Sequence, residues 1–505
     1  MEEKTVLDLL IKNGTVLDGS GEEGFAADVA VKDGKIVAVG KDLGDAAQAI
    51  DAKGLVVTPG FIDSHSHADS AILTYPQQIE KVEQGITTSI GGQCGATPYP
   101  VRTEDGIAKM SEFMERAVVT PQGANIATFV GHKAIRKAVM GMANRPATEE
   151  ELEQMKDLLR DGMDAGAMGI SFGLIYTPSC YAPTSELVAL AQVAKEKGGI
   201  MSAHIRGESD HLIESVEEFL TIVKGANIRA VLSHHKACGF KNHGKVNTTL
   251  KMLEDAIREG YEVYCDVYPY TASRTSLAST FIPKEYVDGR VAEHLQDPAL
   301  RKLFREKGVE RYGEDLSWVL LNVCQYDPAY SGKTVAEAAV LHGKDHWDTL
   351  LDILTVHPGC CACFFSQSEE DMQTVMSWKR AMICTDSGVA GKADFYHPRL
   401  RGSFPRVLGR YVRENNVVSL PEMIRKMTSL PAQVYGLREK GSLRPGHDAD
   451  ICVFDPQTII DRATYIDPSQ RAEGLRWVIV GGKIAAKDSV ATGETGGKVL
   501  RRVRD

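Results

Sequence analysis

The chain has 505 residues, 43% hydrophobic and 25% charged, with a formal net charge of -10. That length exceeds what one small core needs, so a large domain with a smaller companion is expected. The acidic balance lacks the basic footprint of a nucleic-acid binder, and no run of about 18 apolar residues offers a membrane span.

Met1-Glu2-Glu3-Lys4 leads into alternating apolar and polar residues, which reads as a strand and not as a secretory signal. Ten cysteines form no compact disulfide framework, so a reducing cytoplasm is the expected compartment. The first ~55 residues read as short strands punctuated by Asn-Gly, Asp-Gly and Lys-Gly turns. The last ~65 residues share that idiom. The two ends are expected to pair into one small β-sandwich, over 1–58 and 437–505.

From 59 to 436 the pattern changes. Candidate strands are the run at 55–62, TTSIGGQC, NIATFVGH, AMGISFGL, GGIMSAHI, RAVLSHHK, EVYCDVYPY, CACFFSQS and AMICTDS. Amphipathic stretches such as ATEEELEQMKDLLRDGMDAG, SELVALAQVAKEKG and NTTLKMLEDAIREG alternate with them. Strand–helix alternation predicts a parallel α/β sheet. A closed (β/α)8 barrel of the TIM type is the leading reading, with an open doubly wound sheet second. The candidates slightly exceed eight, so one is expected outside the sheet. No G-x-G-x-x-G or P-loop follows the early strands. Residues at about 280–346 are more polar and helical and read as an inserted lid. Cys360-Cys361-Ala362-Cys363 sits in an apolar run and reads as a buried strand in preference to a metal site.

Five candidate strands end in polar residues, where a barrel places its active site. Gly60-Phe61-Ile62-Asp63-Ser64-His65-Ser66-His67 puts two imidazoles on one face of an extended strand. Cys94 ends the second, His204 another, His234 and His235 the next, and Asp386 the last. Imidazole, thiolate and carboxylate together suit zinc.

These segments resemble the amidohydrolase superfamily, as does the tail Gly441-Ser442-Leu443-Arg444-Pro445-Gly446-His447-Asp448-Ala449-Asp450. Within it, Gln93-Cys94-Gly95, SAHIRGE, LSHHK, DVYPYTAS, FSQSEED and HPRLRGSFPRVLGRYVRE resemble the N-acyl-D-amino acid deacylases (D-aminoacylases). Those enzymes carry a cysteine where relatives rely on a carboxylated lysine. The resemblance implies a zinc-dependent hydrolase that splits a small-molecule N-acyl-D-amino acid into a D-amino acid and a carboxylate. It implies Cys94, His204 and His234 as ligands of a tight zinc, His65 and His67 as a weaker second site, and Asp386 as the catalytic carboxylate. Lys236, Tyr270, Arg399 and Ser276 resemble groups that hold the substrate carboxylate.

Arg274 departs from the family pattern and is expected to meet an acidic substrate side chain or to sit at the surface. Tyr176 and Tyr181 could line the pocket. His132 could face the site or be structural, and Arg206 with Glu208 could orient ligands or start a helix. A cyclic-amide hydrolase of the hydantoinase or dihydroorotase kind is the alternative enzyme, and a non-catalytic amidohydrolase-like scaffold the alternative class. Homo-oligomerisation stays open.

Overall fold

The computed structural model describes residues 6–390 and 397–502. Met1 to Lys4, read above as the start of a strand, lie outside the described residues.

Eight strands form the centre: β1 Phe61–Asp63, β2 Ile86–Gly91, β3 Asn125–Thr128 continued by Val130–Gly131, β4 Gly169–Gly173, β5 Ile200–His204, β6 Ala230–Leu232, β7 Val263–Val267 and β8 Ala381–Ile383. Each pairs in parallel with the next in chain order. The ring closes between β8 and β1, where Asp386 N donates to His65 O (2.9 Å) and Ser66 bridges Ser387 in parallel. These strands are buried along their length, as a barrel covered outside by helices requires. The helix Leu212–Ala226 shows how: Leu212, Val216, Phe219, Leu220 and Val223 recur at helical spacing and are all buried. Glu149–Asp164 begins at a capping box, Thr148 accepting from Glu151 N while Glu151 reaches back.

The surplus strand is Cys361–Phe365. It pairs antiparallel with Ala272–Ser276 and Val319–Leu321 in a four-stranded sheet between β7 and β8. An apolar run announces a strand but not which sheet receives it. Around this sheet Phe281, Phe304, Trp347 and Phe364 pack into a core of their own. The strand Ala272–Ser276 thus joins this excursion upstream of the polar stretch at 280–346; with four polar residues in five it is too short and too polar to read as a strand.

Strands from both chain ends share one nine-stranded sheet. Val56–Pro59 joins them, lying parallel to Leu7–Val16 and antiparallel to Ile451–Phe454. Leu9, Ile11, Val29, Ile451 and Val453 fill its core. The Asp448-Ala449-Asp450 segment fastens this sheet to the barrel. Asp450 accepts from Lys440 Nζ (2.5 Å) and from Asn125 Nδ2 of β3 (2.8 Å). Asp448 meets Lys440, Lys35 and Lys498 at 2.8, 2.7 and 3.0 Å. Among the described residues no helix is long and apolar enough to cross a membrane.

Candidate active site

A cavity of about 390 Å3 opens at the C-terminal ends of the barrel strands. Its floor is built from residues that the strands bring up one by one. Cys94 lies in the turn after β2, and its backbone crowds β3 and β4. A Cβ at Gly173 would stand 2.0 Å from Cys94 O, and one at Gly131 would stand 2.3 Å from Gly95 O. Glycine at both strand ends leaves room for the turn. Ser202 donates to Gln93 Oε1 (2.6 Å) and fixes it further.

Three of the floor residues, Cys94, His234 and Asp386, have positive φ of 53°, 35° and 49°. Non-glycine residues rarely adopt that region, and where they do the surroundings must hold them. Three such residues converging on one cavity mark a place where side-chain aim outranks backbone comfort.

The donors form two cups that share one sulfur. Cys94 Sγ is 3.4 Å from His234 Nε2 and 3.7 Å from His204 Nδ1, and those two nitrogens are 2.9 Å apart. On its other side Cys94 Sγ is 3.3 Å from His65 Nε2. Asp386 Oδ1 lies 3.6 Å from His65 Nε2 and 3.2 Å from His67 Nε2. In each cup the donor atoms lie within 4.8 Å of one another. Tetrahedral zinc with sulfur and nitrogen ligands separates neighbouring donors by about 3.3–3.6 Å, so both cups have the dimensions of a metal site.

The ring nitrogens pointing away support that fit. His65 Nδ1 and His204 Nε2 are buried without a hydrogen-bond partner. They face Asp266 Oδ1 at 3.7 Å and Glu208 Oε2 at 3.6 Å. His234 Nδ1 lies 3.1 Å from Glu208 Oε1. A carboxylate behind His65 and His204 favours the proton on the far nitrogen and a lone pair toward the cup, whereas at His234 Nδ1 the Lys236 ammonium stands closer than the carboxylate, at 2.8 Å. Burial pushes His204 down to about 3 and His65 well below the usual histidine range, so both are neutral near pH 7. Burial also pushes the Cys94 thiol well up. A cation at Sγ reverses that preference by stabilising the thiolate. Burial works against charge on Asp386, but the Arg399 guanidinium leads the neighbours that outweigh it, and the carboxyl lies well below the usual range.

Two cations stand over the floor. Arg399 Nη1 donates to Asp386 Oδ2 (2.8 Å), and Lys236 Nζ donates to Glu208 Oε1 (2.6 Å). Both also lie over the Tyr268 ring, at 5.3 and 5.4 Å from its centre. Tyr176 and Arg274 line the walls, Arg274 from the strand Ala272–Ser276 of the insertion.

Two expected substrate contacts are not at the cavity. Tyr270 N donates to Tyr268 O (3.0 Å), a tight turn about Pro269 that ends the strand alternation. Tyr268 therefore lines the cavity, while Tyr270 is buried beside His397 and Arg406. Ser276 caps the helix Leu277–Phe281 by accepting from Ser279 N. His132 is structural, bonded to Ser179 and Glu186, and His235 bonds Thr249 away from the cups. Arg206 pairs with Glu218, not Glu208. Tyr181 donates to Lys284 O on the insertion and does not line the cavity. Sequence reasoning missed Tyr268 and Asp266. Both lie in the DVYPY segment already singled out, where strand-end position was the available signal.

An amidohydrolase family model matches residues 48–305 and 372–486, leaving unmatched the two chain ends and 306–371, which fall in the insertion between β7 and β8. A D-aminoacylase of Alcaligenes xylosoxydans xylosoxydans is 34% identical, over 98% of each chain. The crystal structure of an N-acyl-D-glutamate deacylase from Bordetella bronchiseptica, with zinc and a phosphonate mimic of the tetrahedral intermediate, superposes with a TM-score of 0.85. It is 32% identical, over 98% of this chain and 100% of that one. A D-aminoacylase structure described for its binuclear metal centre, with one-metal activation and second-metal attenuation, gives 0.85 at 33% identity over the same shares.

Proposed function

Because the chain belongs to the amidohydrolase family, we propose that it hydrolyses the amide bond of N-acyl-D-amino acids with zinc, releasing a D-amino acid and a carboxylate. The observation that carries this reading is the shared sulfur of Cys94, set between two histidine-bearing cups with Asp386 at their edge. Cys94, His204 and His234 would hold a tight zinc, and His65 and His67 a weaker second one beside Asp386. Zinc so held lowers the pKa of a bound water and polarises the amide carbonyl.

The chain's own groups do the rest. Asp386 is ionised near neutral pH and can take the proton of the attacking water. It then returns that proton to the amine nitrogen, without which the C–N bond breaks slowly. Arg399 offers a planar fork to the substrate carboxylate and Lys236 a point charge. At rest both are occupied by Asp386 and Glu208, so an arriving carboxylate competes for cations already positioned.

Arg274 lines the same cavity, and we assign it to an acidic side chain such as that of N-acetyl-D-glutamate. If Arg274→Ser left the ranking of N-acetyl-D-glutamate over N-acetyl-D-methionine unchanged, that assignment would fall. A reducing cytoplasm suits the ten free cysteines.

The deciding experiment is a panel of N-acetyl-D- and L-amino acids and cyclic amides, with and without a chelator. Hydrolysis of the D-series that chelation abolishes and zinc restores is expected. Turnover of hydantoins in its place would favour a cyclic-amide hydrolase, and a metal-free, inactive protein would favour a scaffold.

A further inference from the structure

Lys81 is fully buried, yet nothing in the chemistry above uses it. It rises from the short helix Ile79–Val82 into the seam where β8 closes on β1. Its ammonium donates to Asp63 Oδ2 (2.8 Å), Thr385 Oγ1 (2.8 Å) and Ser387 O (2.9 Å), with Ser387 Oγ also in reach at 3.2 Å. Asp63 in turn accepts from Thr385 N (2.8 Å) and Thr385 Oγ1 (2.7 Å). Both chain neighbours of Asp386 are thereby tied to one buried ion pair.

Asp386 itself sits at φ 49°, a conformation that needs outside support. The same seam reaches His67, whose N donates to Ser387 O (3.0 Å). Among the described residues, Cys94, His204 and His234 make no hydrogen bond to this quartet. A buried ion pair is a poor device for stability alone, since apolar residues of like volume often serve as well. Its best-attested use is to fix one arrangement. We propose that Lys81 is a positioning residue: through Asp63, Thr385 and Ser387 it aims Asp386 and His67 at the second cup and leaves the first cup to itself. This rests on the proposed role of Asp386.

The test uses the full-length protein stripped of metal and titrated with Co2+, whose first equivalent reports on the Cys94 thiolate through its charge-transfer absorption. In Lys81→Met/Asp63→Asn, which removes both charges together, the first affinity should stay within about twofold. The second should weaken by about 10–100-fold, as loss of outer partners does at metal sites. With zinc restored, kcat on N-acetyl-D-methionine should fall by about 100-fold while KM stays within about threefold, the signature of a misaimed group. Thr385→Val, which keeps the ion pair, gives the same pattern more weakly and decides the matter if the double variant does not fold. Equal loss of both affinities would reduce Lys81 to a fold residue and overturn the proposal. So would an unchanged second affinity, or a wild-type chain that takes up no second cobalt. If the wild type hydrolyses no N-acyl-D-amino acid, the functional reading fails, while the cobalt titration still judges Lys81.

Discussion

His132 and His204 are both buried at the ends of barrel strands, and they sit in opposite electrostatic situations. His132 Nδ1 bonds Ser179 Oγ and its Nε2 bonds Glu186 Oε1, each at 3.0 Å, while Arg136 bonds both Glu186 oxygens at 2.6 Å. Every charge in that cluster has its partner. His204 instead turns Nδ1 toward a thiol and a second imidazole nitrogen, and its Nε2 has no hydrogen bond. None of His132, Arg136 and Glu186 has a positive φ, whereas Cys94, His234 and Asp386 all do. A satisfied cluster stabilises the fold, and a cluster with donor atoms in excess, held on strained backbone, is built for something absent from the chain. Burial alone does not separate the two, and neither does an unmet nitrogen as such, since Arg136 Nε also lacks a partner. The imidazoles do, because both nitrogens of His132 are bonded and Nε2 of His204 is not.

The largest effects that test this contrast lie in the shared floor. Cys94→Ala removes the only sulfur common to both cups, so bound zinc by elemental analysis and activity should vanish together. Asp386→Asn keeps the first cup intact, so zinc should remain while kcat falls by about 10^3-fold, within the range that proton transfer contributes. Retained zinc in Cys94→Ala would break the reading of the floor as a metal centre. Arg399→Lys comes next. It preserves charge but loses the planar fork, and KM for N-acetyl-D-amino acids should rise by about 10-fold with zinc content unchanged. An unaltered KM would remove Arg399 from substrate binding.

The same contrast explains what was legible in the sequence. The barrel was readable because strand and helix periodicities alternate over most of the chain. The floor was readable because chemically reactive residues stood at strand ends, where a barrel exposes them. Contacts fixed by local turns were not. Tyr268 and Tyr270 are equivalent by strand alternation, and only the turn about Pro269 separates them. The destination of Cys361–Phe365 depends on long-range pairing with Ala272–Ser276 and Val319–Leu321, which a run of apolar residues cannot encode. Glu208 and Arg206 looked like one pair by spacing, yet their side chains diverge to Lys236 and Glu218.

On the satisfied side, His132→Ala should leave kcat, KM and zinc content near wild type. It strips a partner from Glu186 inside a buried network, so urea denaturation should show a loss of about 1–3 kcal/mol. A large fall in kcat at unchanged stability would move His132 into the active site and blur the distinction.

The smallest effect concerns the other satisfied cluster, where Asp448 fastens the terminal sheet. Burial opposes its charge, but Lys440, Lys35 and Lys498 outweigh it and hold its carboxyl below the usual range. A carboxyl lowered on folding adds stability above its unfolded value of about 3.9 and loses it as pH falls through the folded value. Asp448→Asn should therefore lower the urea midpoint by a constant amount between about pH 7 and about pH 5, and the gap from wild type should close below about pH 4. Activity at neutral pH should not change, because Asp448 does not line the cavity. A gap that stayed the same in acid would mean that Asp448 acts through hydrogen-bond geometry and not through its charge. The terminal sheet would then be fastened by shape, and only the barrel mouth would depend on electrostatics.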